Sequence, residues 1–487
     1  MTTLYKEDKL NNKVNLREGI VITFIAKYSN IIVQLLISSV LARLLGPEEF
    51  GVVAIITVFT SFFTILGDMG LGPAIIQNKS LDENNISDIF KFSMIVSVVM
   101  AILFYGFSHF IAFFYSNEIY IKLGVMLSLS VMFSILKIVP NALIYKSKNF
   151  KLSGIIQIIA NLSIGCITIL LAIKGWSYYA LVLDSIFKSV LIFILCLYFS
   201  RIRLKKGFKI SSIKKIGSYS SYQFSFNFIN YFTRNLDNIL TGKFLGSSTL
   251  AYYDKAYKLM LYPIQNLTHV ITPVLHPVLS EYQDQPDIIY EAYIKIVKIL
   301  AYIGVFISVF CFFSSTEIIR IMYGPKWDQT IPIFRVLSLS IVVQMVLSSI
   351  GSIFQATGHV DKLFRTGVIS SIFTVCAILI GVISGSLLVL AIGVTISFVF
   401  NFIQCFYVLI TQVFNKSFLE FILGLKNVVT IGIIMSIGYL IISNVYIDNI
   451  LISCFINIVV GIITYSIGMV VTKEYILLKD ILLNKKK

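Results

Sequence analysis

The sequence is short of charge. Only 13% of its 487 residues are Asp, Glu, Lys or Arg, whereas 57% are hydrophobic. A water-soluble globule of this length needs a far more polar surface, so that class is excluded and a polytopic membrane protein is implied. Signatures of several chemistries are missing too. No GxxxxGK[ST] loop is present, so the chain is not itself a P-loop ATPase. No GxSxG elbow and no voltage-sensor arginine ladder are found. The six cysteines (Cys166, Cys196, Cys311, Cys376, Cys405, Cys454) are scattered through apolar runs without metal-ligand spacing. They read as small apolar fillers, and no metal or other cofactor is expected. Long hydrophilic loops are lacking as well, which leaves little room for an active site, and no enzymatic activity is expected. A polar leader of about 19 residues precedes the first apolar run without a small-residue cleavage site, so that run reads as a retained span.

Acidic residues are scarcer than basic ones, 24 against 40, for a net charge of +16. The excess lies in short loops and at the ends, so nucleic acid is not implied as a partner; a lipid bilayer is. About fourteen apolar segments have spanning length, near 20–44, 51–76, 90–115, 119–142, 153–173, 176–199, 216–242, 248–274, 291–314, 330–353, 363–385, 387–411, 425–443 and 450–471. An even number puts both termini on one side. About 24 Lys and Arg then fall on the N-terminal side and about four (Lys174, Lys243, Arg320, Lys326) on the other, which predicts cytoplasmic termini. The acidic loop Ser280–Ile288 lacks Lys and Arg and supports this only weakly.

The most basic loop, RIRLKKGFKISSIKK (Arg201–Lys215), sits near the middle. It reads either as an interfacial linker held to anionic headgroups or as a loop that only sets topology. The halves on either side resemble each other. At an offset of 200 residues, VLARLLGPEEFG (Val40–Gly51) lies over ILTGKFLGSSTLA (Ile239–Ala251), matching Arg43 to Lys243 and Gly46 to Gly246. Asn30 likewise matches Asn230. The expected architecture is all-α: an N-terminal lobe over 1–200, a linker over 201–215, a C-terminal lobe over 216–411, and two extra helices with a basic tail over 412–487.

Three spans carry polar residues at helical spacing. Lys27, Asn30, Gln34 and Ser38 mark the first. Gln223, Asn227, Asn230, Arg234, Asn238 and Thr241 mark the seventh, with Asp237 beside them. Lys255, Lys258, Tyr262, Gln265 and His269 mark the eighth. Helices apolar on one side and polar on the other line wet cavities. Arg234 is the leading candidate to hold an anion, its fork suited to phosphate; an intrahelical pair with Asp237 is the alternative. Lys27, Arg43, Lys243, Lys255 and Lys258 line the cavity or snorkel to the interface. Asp184 and Lys188 fit a compensating i, i+4 pair. Asp68, in a glycine-rich run, fits a helix-end role. His269 relays protons or packs, and Pro263, Pro273 and Pro277 predict a bent eighth span.

LARLLGPEEFGVVAI, GDMGLGPAIIQ and RNLDNILTGKFLGSSTLAYYDKAYKLMLYPIQNLTHVITPVLHPVLSEYQD together resemble the polysaccharide flippases of the MOP exporter superfamily. They are similar to the Wzx-type capsule, colanic-acid and teichuronic-acid exporters over roughly residues 15–410. GSSTLAYYDK departs where relatives often carry alanine or glutamate. The resemblance implies a two-lobed bundle of twelve to fourteen spans in the bacterial plasma membrane. It implies a cargo of oligosaccharide on polyprenyl pyrophosphate, moved from the inner to the outer leaflet by alternating access. Polysaccharide polymerase or export machinery is an implied partner. The motif positions carried over are Arg43, Gly46, Asp68, Arg234, Asp237, Asn238, Lys243, Gly246, Tyr253 and Lys255. Hydrogen bonds from Gln34, Asn227, Asn230, Asn238 and Gln265 suit a saccharide; Arg234, with Lys27 or Lys255, suits pyrophosphate. Asp68, Asp184 and Asp237 are candidates for ion coupling. Alternatives are a peptidoglycan-precursor flippase, a drug/cation antiporter, a membrane polymerase or ligase, and a non-transporting scaffold. Cationic stripes disfavour the antiporter, and short loops disfavour the polymerase.

Overall fold

Inside hydrocarbon a backbone must satisfy its own hydrogen bonds, and a helix does so within one segment. The computed structural model describes residues 16–213, 231, 234–283, 285–443 and 447–476, with side chains described for all of these except 16–26 and 269–278. Among the described residues the regular elements are all helical, as the sequence predicts. Backbone contacts divide the chain into two units, Met1–Ser248 and Thr249–Lys487. This division falls after the seventh segment rather than in the basic linker.

The first unit contains α1 (Leu16–Leu44), α2 (Pro47–Asp68), α3 (Leu71–Gln77), α4 (Glu83–Tyr115), α5 (Ile119–Leu136), α6 (Ile138–Lys146), α7 (Phe150–Ile173), α8 (Ser177–Ser200) and α9 over 234–244. Helix α1 packs on α7, α4 on α5, and α7 and α5 on α8. Caps mark the starts. Asp82 accepts from the Asn85 N–H at 2.7 Å at the head of α4, and Asn149 accepts from Leu152 at the head of α7. The GDMGLG run breaks a span: α2 stops at Asp68, Met69 and Gly70 turn left-handed at φ 46° and 72°, and α3 resumes. Leu71, Ile75, Ile89, Phe90 and Val139 close the core around that break.

Helix α10 (Ser247–Ser280) leads into the second unit, followed by α11 (Pro286–Phe313), α12 (Ser315–Met322), α13 (Thr330–Ser338), α14 (Ile341–Leu347), α15 (Ile350–Ala356), α16 (Val360–Ile383), α17 (Leu387–Val408), α18 (Phe418–Leu423), α19 (Lys426–Ile442) and α20 (Ile450–Val471). Here α11 packs on α14 and α19, α16 on α17, and α19 on α20. The α13 and α14–α15 pieces bend by 49° at their junction.

Ten helical stretches among the described residues are long and apolar enough to cross a membrane, or eleven if the bent pair is one span. The expected fourteen is not reached on this measure. Of the other three segments, 20–44 is α1, 216–242 lies mostly outside the described residues, and 248–274 lies in α10. Helix α10 has the length, 34 residues, but Asp254, Lys255 and Lys258 crowd its first turns. It runs unbroken through Pro263, Pro273 and Pro277. The offset between the halves is kept in the backbone: α1 and α9 end at 44 and 244, and α2 and α10 start at 47 and 247.

One glycine is required by a close approach. A Cβ on Gly51 would lie 1.9 Å from the Ser247 carbonyl oxygen, a backbone atom that cannot swing aside. On Gly106 a Cβ would meet nothing within 4 Å. Gly51→Val is therefore expected to destabilise by at least the ~1–3 kcal/mol of core overpacking, read as a lowered melting temperature of the purified protein. Gly106→Val is expected to melt close to the parent. Equal melting of the two variants would contradict the contact.

Candidate functional site

A helix facing only lipid has no reason to hold charge, since a Lys, Arg or Asp at mid-membrane is unfavourable by about 2.5–3.5 kcal/mol on insertion scales. Each polar group on α1, α9 and α10 therefore needs a partner or water. On α1, Asn30 accepts from Asn161 Nδ2 of α7 at 2.7 Å, which ties the two helices through amides. One turn away on the same face, Lys27 and Gln34 are exposed. Arg43 is exposed in the last turn of α1, where a cation complements the helix dipole.

On α9, Arg234 is exposed, whereas Asp237 is 5% exposed and accepts from the Asn238 N–H at 2.8 Å. Asn238 is half-buried. Lys243 reaches α4, where its ammonium donates to the Phe114 carbonyl and stands 5.0 Å from the centre of the Phe114 ring. Tyr115 donates to the Ile239 carbonyl at 3.1 Å, and Tyr231 donates to the Val58 carbonyl. Lys243 thus serves as a cap on the C-terminal end of α4. Asn227 and Asn230 lie outside the described residues, as does the side chain of His269.

The second unit places the α10 cations differently. Lys258 is exposed and paired with Asp254 at 2.7 Å, an i, i+4 bond. Lys255 points the other way and is 6% exposed. Its ammonium lies 5.0 Å from the centre of the Tyr323 ring and 5.6 Å from that of Trp327. Both rings are buried, and Tyr252 meets Trp327 edge-on at 6.0 Å. Cation and π-faces attract most strongly where water is excluded, by up to ~2 kcal/mol. The loop bearing the rings is closed by Arg320, whose Nε and Nη2 donate to Asp328 at 2.9 and 2.7 Å. That fork holds the Asp328 carboxyl below its ordinary value. The pair is present above the ordinary carboxylate range and is lost as pH falls through the depressed value. Gln265 is exposed further along α10.

The expected ion-coupling carboxylates are spread out. Asp68 ends α2 and accepts from the Gly72 N–H at 3.4 Å, which fits the helix-end role. Asp184 pairs with Lys188 at 2.8 Å and accepts from Thr168 at 2.9 Å, as the compensating reading expects. Asn161, Phe114, Tyr323 and Trp327 were not singled out in the sequence. No spacing rule links them to partners 68 or more residues away. The Asp254–Lys258 pair is local too, but Asp254 was not singled out and Lys258 was read as lining the cavity or snorkelling.

Residues 40–332 match the family described as "Polysaccharide biosynthesis protein". The chain is 25% identical over 398 residues to the lipopolysaccharide biosynthesis protein WzxC of Escherichia coli, covering 80% of this chain and 79% of that protein. It is 25% identical over 338 residues to the teichuronic acid biosynthesis protein TuaB of Bacillus subtilis, covering 68% and 69%. In fold, it superposes on the lipid II flippase MurJ in an inward closed conformation with a TM-score of 0.74, at 16% identity, over 94% of this chain and 100% of that one.

Burial assigns Lys255 to packing against rings, and this predicts a ranking. Lys255→Met keeps the stem and gives up only the cation–π attraction, whereas Trp327→Ala empties a large buried site, typically by ~3–5 kcal/mol. The melting temperature is expected to fall much further for Trp327→Ala. Equal losses would contradict the enclosure.

Proposed function

This chain belongs to the polysaccharide biosynthesis protein family, and from that membership we propose that it moves oligosaccharide repeat units, linked to polyprenyl pyrophosphate, from the inner to the outer leaflet of the bacterial plasma membrane. The observation that carries the proposal is a conjunction. A chain of a polysaccharide-assembly family has the polytopic helical fold of a transporter, without an enzyme's motifs. Polysaccharide assembly needs a step in which a charged, hydrated unit crosses hydrocarbon, and this is the chain's own kind of problem to solve.

In this reading α1, α9 and α10 turn their polar faces to water. Gln34, Asn227, Asn230, Asn238 and Gln265 offer hydrogen bonds to sugar hydroxyls. Arg234, joined by Lys27, offers positive charge to pyrophosphate through charge-assisted bonds. Lys243, Lys255 and Lys258 have partners inside the fold and support the geometry of these helices. Arg43 sits at a helix end with the same supporting role. The six-span lobes around the 201–215 linker rock to alternate access, with the last two helices outside the pair. Both termini are cytoplasmic, as the loop charge favours. Asp68, Asp184 or Asp237 couples transport to an ion gradient. A polysaccharide polymerase receives the unit on the outer side.

A strain lacking this gene is expected to lose surface polysaccharide and to accumulate lipid-linked units on the inner face. Single units outside the membrane would point to a polymerase instead. In complementation, Arg234→Ala is expected to lower polysaccharide output by roughly 10- to 100-fold, in line with one charge-assisted bond of ~1.5–3 kcal/mol. Arg234→Lys is expected to keep an intermediate share. Full output from Arg234→Ala would remove this residue from the cargo path.

A further inference from the structure

The basic linker after α8 has a job that cargo transport does not absorb. It is bonded to the head of α4. The Lys91 ammonium donates to the carbonyl oxygens of Lys205 and Gly207. The Lys205 N–H donates to the Ser87 hydroxyl at 2.9 Å, and the Ser212 hydroxyl donates to Asp88 at 2.7 Å, with Ser212 and Asp88 both buried. Glu83 is a second carboxylate facing this segment beside Asp88, and Lys205 pairs with it at 2.9 Å. These bonds use the inward-facing groups of the segment and fix its course.

What the turn presents outward is mixed. Arg201, Arg203, Lys206 and Lys209 are exposed. Interleaved with them, Leu204, Phe208 and Ile210 are exposed by 57%, 47% and 64%. A loop that only sets topology needs the charge and not bare apolar groups. A surface meeting only water disfavours them. Cations beside apolar side chains suit the bilayer interface, where phosphates lie next to the acyl boundary. The segment follows directly on Ser177–Ser200, a helix long and apolar enough to cross a membrane, so it starts where that span ends.

We propose that Arg201–Ile210 is a preformed platform for the headgroups of anionic phospholipids, separate from any cargo path. Leu204, Phe208 and Ile210 enter the acyl boundary, and the four cations engage phosphates around them. Because α4 holds the turn, the lipid meets a surface whose ordering is already complete.

The test uses the full chain in vesicles. Phe208→Trp is reconstituted in brominated phosphatidylglycerol mixed with phosphatidylethanolamine, or in brominated phosphatidylcholine alone, and its added emission is compared with the parent's. Native mass spectrometry titrates phosphatidylglycerol against the parent and against the combined Arg203→Gln, Lys206→Gln, Lys209→Gln variant. Strong quenching in the anionic vesicles is expected, with weaker quenching in phosphatidylcholine. The combined variant is expected to bind phosphatidylglycerol roughly 100-fold more weakly, at about 5-fold per cation. Raising salt is expected to weaken the parent's binding in the same direction, which tests the charge without a variant that must fold. An unquenched indole would overturn the platform. So would equal quenching in both lipids, or phosphatidylglycerol binding indifferent to both substitution and salt.

Discussion

Water is what a hydrogen-bonding side chain gives up when its helix enters a bilayer, and the fold is arranged around that constraint. Most of the helices satisfy it by having little to satisfy. Their exposed faces are Ile, Leu, Val and Phe, as on α20, where Leu451, Phe455, Ile462 and Val470 are all open to the surroundings. Helices α1, α9 and α10 do not comply. Their amides and charges are the places where the fold supplies partners or admits solvent.

The lysines show the first solution. Lys243 caps the end of α4, Lys255 lies against two aromatic rings, and Lys258 and Lys188 each hold a carboxylate one turn away. None of these ammonium groups needs cargo to explain it. Arg234 and Lys27 differ: both are exposed on helices whose other faces pack. The proposed transport takes these two exposed charges as the ones that meet water. It therefore rests on fewer cations than the sequence offered.

Much of this was legible in the residues. Apolar runs of spanning length mark where helices form, because the bilayer leaves no other choice of backbone. The offset of 200 residues between Gly46 and Gly246 reappears as matching helix ends. Local pairs such as Asp184–Lys188 follow from helical spacing alone. The interruptions were harder to read. The break at Lys137 between α5 and α6 lies just before Pro140, which has no N–H for the Leu136 carbonyl and whose ring crowds it, a signal that the reading of apolar runs alone passes over. The seat of Lys255 depends on Tyr323 and Trp327, which are distant in sequence and near only after folding. The Asn30–Asn161 bond is likewise tertiary. Polar stripes thus told which helices break the apolar rule, and the structure divided their side chains between packed and exposed positions.

The central claim is that the polar faces of α1 and α9 meet water, and aqueous thiol labelling in a background lacking the native cysteines tests it most directly. Gln34→Cys and Arg234→Cys should react with a membrane-impermeant reagent. Ile32→Cys and Leu36→Cys, exposed by 58% and 61% on the other side of α1, should stay unmodified in the bilayer. Labelling of Ile32→Cys and Leu36→Cys with protection of Gln34→Cys and Arg234→Cys would place hydrocarbon where the account requires a passage.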